Sequence, residues 1–176
     1  MCLFNAKPIH LTKSTKCYKL VKYTPDGYRS YVMGTWIPKA VMSGREPFIA
    51  RGRKDVKPWR EVHGGFIHSY AESSFVCALN EMILYNMLEQ GIELWECRIE
   101  PMEEDEFGNY YHCYVSDQKF PEYASDRLWF VRPVVSTMDE LKSLAAMYGI
   151  KRKGSFGGLK DSLSRYIRTV IKRLKS

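Results

Sequence analysis

The chain has 176 residues, 45% of them hydrophobic and 14% aromatic, which is enough apolar material for one well-buried domain with a small appendage and excludes a disordered chain. Its formal net charge of +7 divides unevenly: residues 1–60 hold 13 Lys and Arg against 3 Asp and Glu, residues 61–137 hold 4 against 14, and residues 138–176 hold 10 against 3. The first two blocks cancel, so the excess positive charge belongs to the C-terminal part and points to solvent or a polyanion.

In chain order, CYKLVKYTPDGYRSYVMG reads as two aromatic and β-branched runs around Pro25-Asp26-Gly27, the pattern of a β-hairpin. MSGREPFIARGRKDVKPWRE comes next as a long basic loop with at most short strands. His63 to Glu72, HGGFIHSYAE, leaves two readings open. In one, Gly64-Gly65 makes a bend and Ser69 to Ser74 leads into a helix. In the other, Tyr18, His68, Ser69 and Tyr70 line a small-ligand pocket, with aromatic and hydroxyl groups suited to a nucleotide. ESSFVCALNEMILYNMLEQG then predicts the main helix, with Phe75, Leu79, Met82, Ile83 and Met87 on one face, Ser73 or Ser74 as N-cap and Gly91 just beyond its end.

ELWECRIEP alternates with a period of two, which places Trp95, Cys97 and Ile99 on the buried side of a strand. The acidic turn MEEDEFGN precedes two further strand candidates, YYHCYVSD and DRLWFVRPV, separated by QKFPEYAS as a loop. The expected body, residues 1–136, is an α+β fold with a mixed or antiparallel sheet and one main helix. From residue 137 the pattern changes. Thr137 and Glu140 form a capping box ahead of Leu141, Leu144, Ala145 and Tyr148, and Gly149 ends that helix. After KRKGSFGG, the residues Leu159, Leu163, Ile167, Val170 and Leu174 recur every three or four positions. Residues 137–176 are thus expected to form a basic two-helix module that docks on the body.

Five cysteines, Cys2, Cys17, Cys77, Cys97 and Cys113, show no Cys-x-x-Cys spacing and read as free, mostly buried thiols. With no apolar leader and no run of about 18 apolar residues, the expected location is a reducing cytoplasm. No metal or cofactor is expected: His63, His68 and Glu72 match no ligand spacing, the acidic turn matches no calcium loop, and no phosphate-binding glycine loop is present. Cys77, or Cys113 beside His112, is a weak candidate nucleophile because neighbours in a strand face opposite ways.

The spacing of Leu141-Lys142, Leu144, Gly149-Ile150, Gly154, Leu159 and Leu163 resembles SAP-type helix-extended-loop-helix modules, which implies binding to duplex DNA. Independently of that resemblance, Lys151, Arg152, Lys153, Arg165, Arg168, Lys172 and Arg173 are suited to neutralising phosphates without sequence preference. The order of a strand with Tyr18, then Gly65-Phe66-Ile67-His68-Ser69-Tyr70, then Ser125-Asp126 before LWFV is similar to ADP-ribosyltransferases. That family supplies an essential glutamate before the last strand, where this chain has Asp126, so the resemblance implies a shared scaffold without the chemistry. Met1 to Phe4, Tyr18-Lys19, Gly65 to Tyr70 and Tyr123 to Asp126 also resemble a group of small bacterial and phage proteins of undescribed activity. The expected role is therefore binding: nucleic acid at the C-terminal module, and a nucleotide or protein partner at the body, in a bacterial or phage-infected cell. The alternatives are a nucleotide-processing or ADP-ribosyl-transferring enzyme, and an inhibitor or structural protein acting only through protein contacts.

Overall fold

A computed structural model describes residues 3, 5–31, 34–51, 65–101 and 113–150. They form an α+β fold built on a mostly antiparallel sheet. Its strands are β1 (Ala6–Pro8), β2 (Thr15–Thr24), β3 (Gly27–Ser30), β4 (Trp36–Ile37), β5 (Phe48–Ile49), β6 (Ile67–Ala71), β7 (Ile92–Ile99), β8 (Cys113–Ser116), β9 (Glu122–Ser125) and β10 (Arg127–Val135). The helices are α1 (Lys39–Met42), α2 (Phe75–Tyr85) and α3 (Met138–Met147). Across the sheet the order is β1-β8-β9-β6-β2-β7-β10-β5, with β3 and β4 extending from the far end of β2.

The longest strand, β2, is the hub. Pro25-Asp26 turns it into β3, with Thr24 opposite Gly27, as the Pro-Asp-Gly sequence predicts. On one side it pairs with β6, Tyr18 opposite Tyr70; on the other it pairs with β7 from Thr15–Ile99 to Lys22–Ile92. The register with β10 slips twice along β7, once beside Phe130 and once at Pro133. A proline carries no amide for the ladder, and a bulge is where a strand tolerates one.

Both faces of the sheet are covered. Tyr18, Leu20, Ile92 and Leu94 pack under α2 and α3, against Leu79, Met82, Leu141 and Ala145. On the opposite face Cys17, Val21, Trp95, Cys97 and Phe130 pack against Ile37 of β4, Val41 and Met42 of α1, and Phe48 of β5. Trp95, Cys97 and Ile99 share this face, as their alternation predicts. The half-polar pattern is lost where the second face is also covered: Cys17 to Val21 are all buried.

Four expectations are corrected. The stretch Ile67–Ala71 is a central strand buried along its whole length, and the turn into the helix is confined to a 3-10 turn at Glu72–Ser74. The main helix stops at Tyr85, where Asn86 takes the left-handed conformation, and Met87–Gln90 continue as a separate 3-10 turn. Ser74 sits at the N-cap position but makes no cap bond, because its hydroxyl donates to the Pro121 carbonyl instead. QKFPEYAS holds strand β9, whose four residues pair with β6 and β8.

The capping box forms as expected. Thr137 Oγ1 accepts from the Glu140 amide at 3.3 Å, and the Glu140 carboxylate accepts from the Thr137 amide at 3.0 Å. The backbone amides of Ser136 and Thr137 hold the Glu140 carboxyl below its ordinary range. No helix among the described residues is long and apolar enough to cross a membrane.

Candidate functional site

The four residues proposed from the sequence to line a pocket lie on two faces of the sheet. Tyr18 and Tyr70 come together as cross-strand partners on the helix side, and the Tyr18 ring packs 4.7 Å from Phe75. Strand alternation turns His68 to the side of Tyr70, whereas Ser69 points to the opposite face with Ile67, close to the Cys17 thiol. All four are buried.

On the helix side, the Tyr70 hydroxyl donates to Glu81 Oε2 at 2.9 Å, and Glu122 stands opposite Tyr70 across the β6–β9 ladder. Burial and then the Glu81 charge raise the pKa of Tyr70, and the same two causes raise that of Glu122. The half-buried Cys77 thiol is pushed up by burial, then by Glu81 and Glu122. Two carboxylates thus converge on a tyrosine and a thiol that stay protonated at neutral pH. The negative charge of this corner disfavours an anion. The nearest described lysine, Lys16 beside Tyr18, is paired with Glu72 at 2.6 Å.

The opposite face holds a buried amine. Lys19 lies between Cys17 and Val21 on β2, is 3% exposed, and donates from Nζ to the His68 carbonyl at 2.8 Å. Loss of solvation lowers its pKa from 10.5 to about 8, against which the Cys97 and Cys17 thiols act weakly. Cys17 stands directly opposite Cys97, and Cys113 opposite Ser125. Burial pushes Cys17 and Cys113 up to about 12 and Cys97 in the same direction. A thiol that remains protonated is a poor nucleophile and a poor metal ligand. Among the described residues no group of three or more His, Cys, Asp or Glu side chains is placed to hold a metal ion. The described cysteines are all free: Cys17, Cys97 and Cys113 are buried, and Cys77 is half-buried.

A third feature lies where α3 meets α2. Ile83 and Asn86, with Met138, Leu141, Lys142, Ala145, Ala146 and Ile150, line a groove of about 200 Å³. Its wall is apolar apart from Asn86 and Lys142, and it adjoins the last described residue, Ile150. The chain reaches it through a Schellman turn: the Gly149 amide donates to Ala146 O at 3.1 Å and the Ile150 amide to Ala145 O at 2.8 Å, with Gly149 at φ 65°.

The nucleic-acid residues expected from the sequence, Lys151, Arg152, Lys153, Arg165, Arg168, Lys172 and Arg173, lie outside the described residues, as do His63, Gly64 and His112. Sequence reasoning missed Lys19, Glu81 and Glu122. Glu81 and Glu122 are far apart in sequence and meet only through the β6–β9 pairing. Lys19 carried a signal, since it alternates with Cys17 and Val21. Compared with known protein families, characterised proteins and solved structures, the chain matches none.

Proposed function

We propose that the chain is a non-enzymatic binding protein whose basic C-terminal segment contacts nucleic acid without sequence preference, while its body engages a second ligand or a protein. The observation that carries this reading is how the charge divides. Residues 151–176 hold nine Lys and Arg and one Asp, whereas residues 1–150 hold 18 basic and 19 acidic side chains.

The body's opposite blocks meet each other in the fold. Lys7 pairs with Asp117 at 2.6 Å and Lys16 with Glu72 at 2.6 Å, each joining the basic N-terminal block to the acidic middle. Glu72 also raises the pKa of Lys16. Such exposed pairs add little stability, but they answer two of the N-terminal block's positive charges locally. The C-terminal segment has one acid of its own, so its field is available to a polyanion. The leucine spacing shared with SAP-type modules supports the same reading. For the body, the acidic corner at Tyr70 favours a neutral or cationic group over a nucleotide.

Replacing Arg165, Arg168, Lys172 and Arg173 together by alanine is expected to weaken binding at least tenfold and to a similar degree for duplex DNA, single-stranded DNA and RNA. The log–log salt slope on duplex DNA should flatten by roughly 0.9 for each phosphate that the variant no longer neutralises. Fluorescence anisotropy with labelled oligonucleotides of unrelated sequence measures both. Unchanged affinity in the variant overturns the assignment.

A further inference from the structure

We propose that the end of the sheet formed by β2, β3 and β4 is a stacking platform for single-stranded nucleic acid, with Trp36 and Tyr31 offered to bases and Lys22 and Arg29 to phosphates. This names a ligand for the body and extends the nucleic-acid reading to it. The surface lies outside the C-terminal segment, so either assignment can fail alone.

Strand pairing sets the row. Lys22 stands opposite Arg29, and Arg29 stands opposite Trp36. Cross-strand partners share a face, so the three side chains lie in one line of about 10 Å across three strands. The Tyr31 amide donates to the Leu20 carbonyl at 3.2 Å, which carries the same face on beyond Arg29. Leu20 packs under the helices, and two residues further along β2 the face is open, with Lys22 exposed. Tyr28 and Ile37 point the other way, into the core around Trp95.

Trp36 is 51% exposed and Tyr31 36%. Among the described residues Trp36 has no ring partner, whereas Tyr23, exposed on the other face, is met edge-on by Tyr28 at 5.2 Å. Gly27 lies on the face of Trp36, where a Cβ would stand 3.5 Å from the indole Nε1, and its lack of a side chain leaves that edge of the ring open. Residues 22–39 hold Lys22, Arg29 and Lys39 against one acid, Asp26. Neither Lys22 nor Arg29 forms an ion pair with a described residue. One Arg29 amine reaches the Gly34 carbonyl at 3.4 Å, which uses one nitrogen of a group with about five N–H donors.

Aromatic faces beside cations suit a polymer that presents flat bases and phosphates together. Bases in a duplex are already stacked on one another, so it is a single strand, whose bases splay, that reaches Trp36. A neutral carbohydrate would use the ring but gives the two cations no counter-charge.

Anisotropy of the full chain with a labelled single strand, and with the duplex of the same sequence, tests the platform. Trp36→Leu is expected to weaken single-strand binding at least about fivefold and duplex binding by less than about twofold. Trp36→Phe keeps a flat ring and should retain most of the single-strand affinity. Lys22→Ala/Arg29→Ala should weaken single-strand binding and flatten its salt slope by about 1.4, at roughly 0.7 per phosphate. Replacing Arg165, Arg168, Lys172 and Arg173 is expected to lower the affinity for all forms alike. The ratio of single-strand to duplex affinity therefore reports the platform, and the total affinity reports the C-terminal segment. Equal losses for the two forms in Trp36→Leu, or no loss for either, overturns the proposal, and the second result leaves the patch to a protein partner. A loss in Trp36→Phe as large as that in Trp36→Leu contradicts stacking, as does a native chain that leaves the single strand unbound at about 50 mM salt. Should Trp36→Leu lower the urea midpoint, Lys22→Ala/Arg29→Ala decides: an unchanged single-strand salt slope overturns the platform.

Discussion

Lys19→Met is expected to raise the stability of the protein at pH 7 by about 1–3 kcal/mol, because it replaces a buried charge by an apolar chain of similar length. The amine's fall from 10.5 to about 8 corresponds to about 3 kcal/mol of desolvation cost. Its bond to the His68 carbonyl returns roughly 1 kcal/mol or somewhat more, which sets the net gain. The pH dependence has a definite sign. The unfolded chain keeps the lysine proton up to about 10.5, whereas the folded chain releases it at about 8. Between these values the unfolded state binds more protons, so raising the pH favours folding. Below about 8 both states are protonated and the cost is present in full.

The buried thiols act in the opposite direction from about pH 8, a unit below their ordinary value of 9.0. Cys17 and Cys113, held at about 12 in the fold, ionise earlier in the unfolded chain. The two effects therefore overlap between about pH 8 and 9, and comparison with a variant that lacks the amine separates the part due to Lys19. Urea unfolding in the presence of reductant, at pH 7 and at pH 8.8, resolves it: the stability of the native protein should rise relative to that of Lys19→Met over this interval, by about 1 kcal/mol. A variant less stable than the native protein at pH 7 would mean that the charge is compensated by a partner, contradicting the desolvation argument.

Gly91→Ala is expected to destabilise the protein by roughly 2–4 kcal/mol. Gly91 ends the 3-10 turn after α2 at φ 76°, and its carbonyl accepts from the Tyr23 amide at 2.7 Å. A Cβ there would stand 2.7 Å from the Tyr23 carbonyl oxygen. Backbone faces backbone, so neither side yields cheaply, and the entry into β7 must shift. Gly149 supplies the control. It is also left-handed, at φ 65°, but a Cβ would meet nothing within 4 Å, so Gly149→Ala should cost only about 1 kcal/mol. Equal losses in urea midpoint for the two variants would show that conformation alone, without the clash, accounts for Gly91.

The elements readable from the sequence are those whose signal is local. Pro25-Asp26-Gly27 encodes its own turn, Thr137 and Glu140 their own cap, and Trp95, Cys97 and Ile99 one side of a strand. The rest depends on neighbours distant in the chain. Ile67–Ala71 contains His, Ser and Tyr, yet all five residues are buried because β2 and β9 flank the strand. Lys19 shares a strand face with Cys17 and Val21, but a lysine there is known to be buried only once the sheet is seen to be covered on both faces. The pocket expected from the sequence meets the same limit: Tyr18 and Tyr70 come together, but alternation sends Ser69 through the sheet to Cys17. The groove is hidden for another reason. The change of pattern at residue 137 groups α3 with the basic tail, whereas Leu141 and Ala145 of α3 also belong to the core under α2.

If the segment beyond α3 is an electrostatic anchor for nucleic acid, the affinity of the full chain must depend steeply on salt. Anisotropy titrations against a labelled duplex between about 50 and 200 mM salt should give a straight log–log plot, falling by about 0.9 per phosphate neutralised. Four or more contacts from the nine basic residues beyond Ile150 predict a slope steeper than about −3.5. Binding that does not change with salt, or no binding at the lowest salt concentration, would contradict the anchor and direct attention to the acidic corner around Tyr70 as the working surface of the protein.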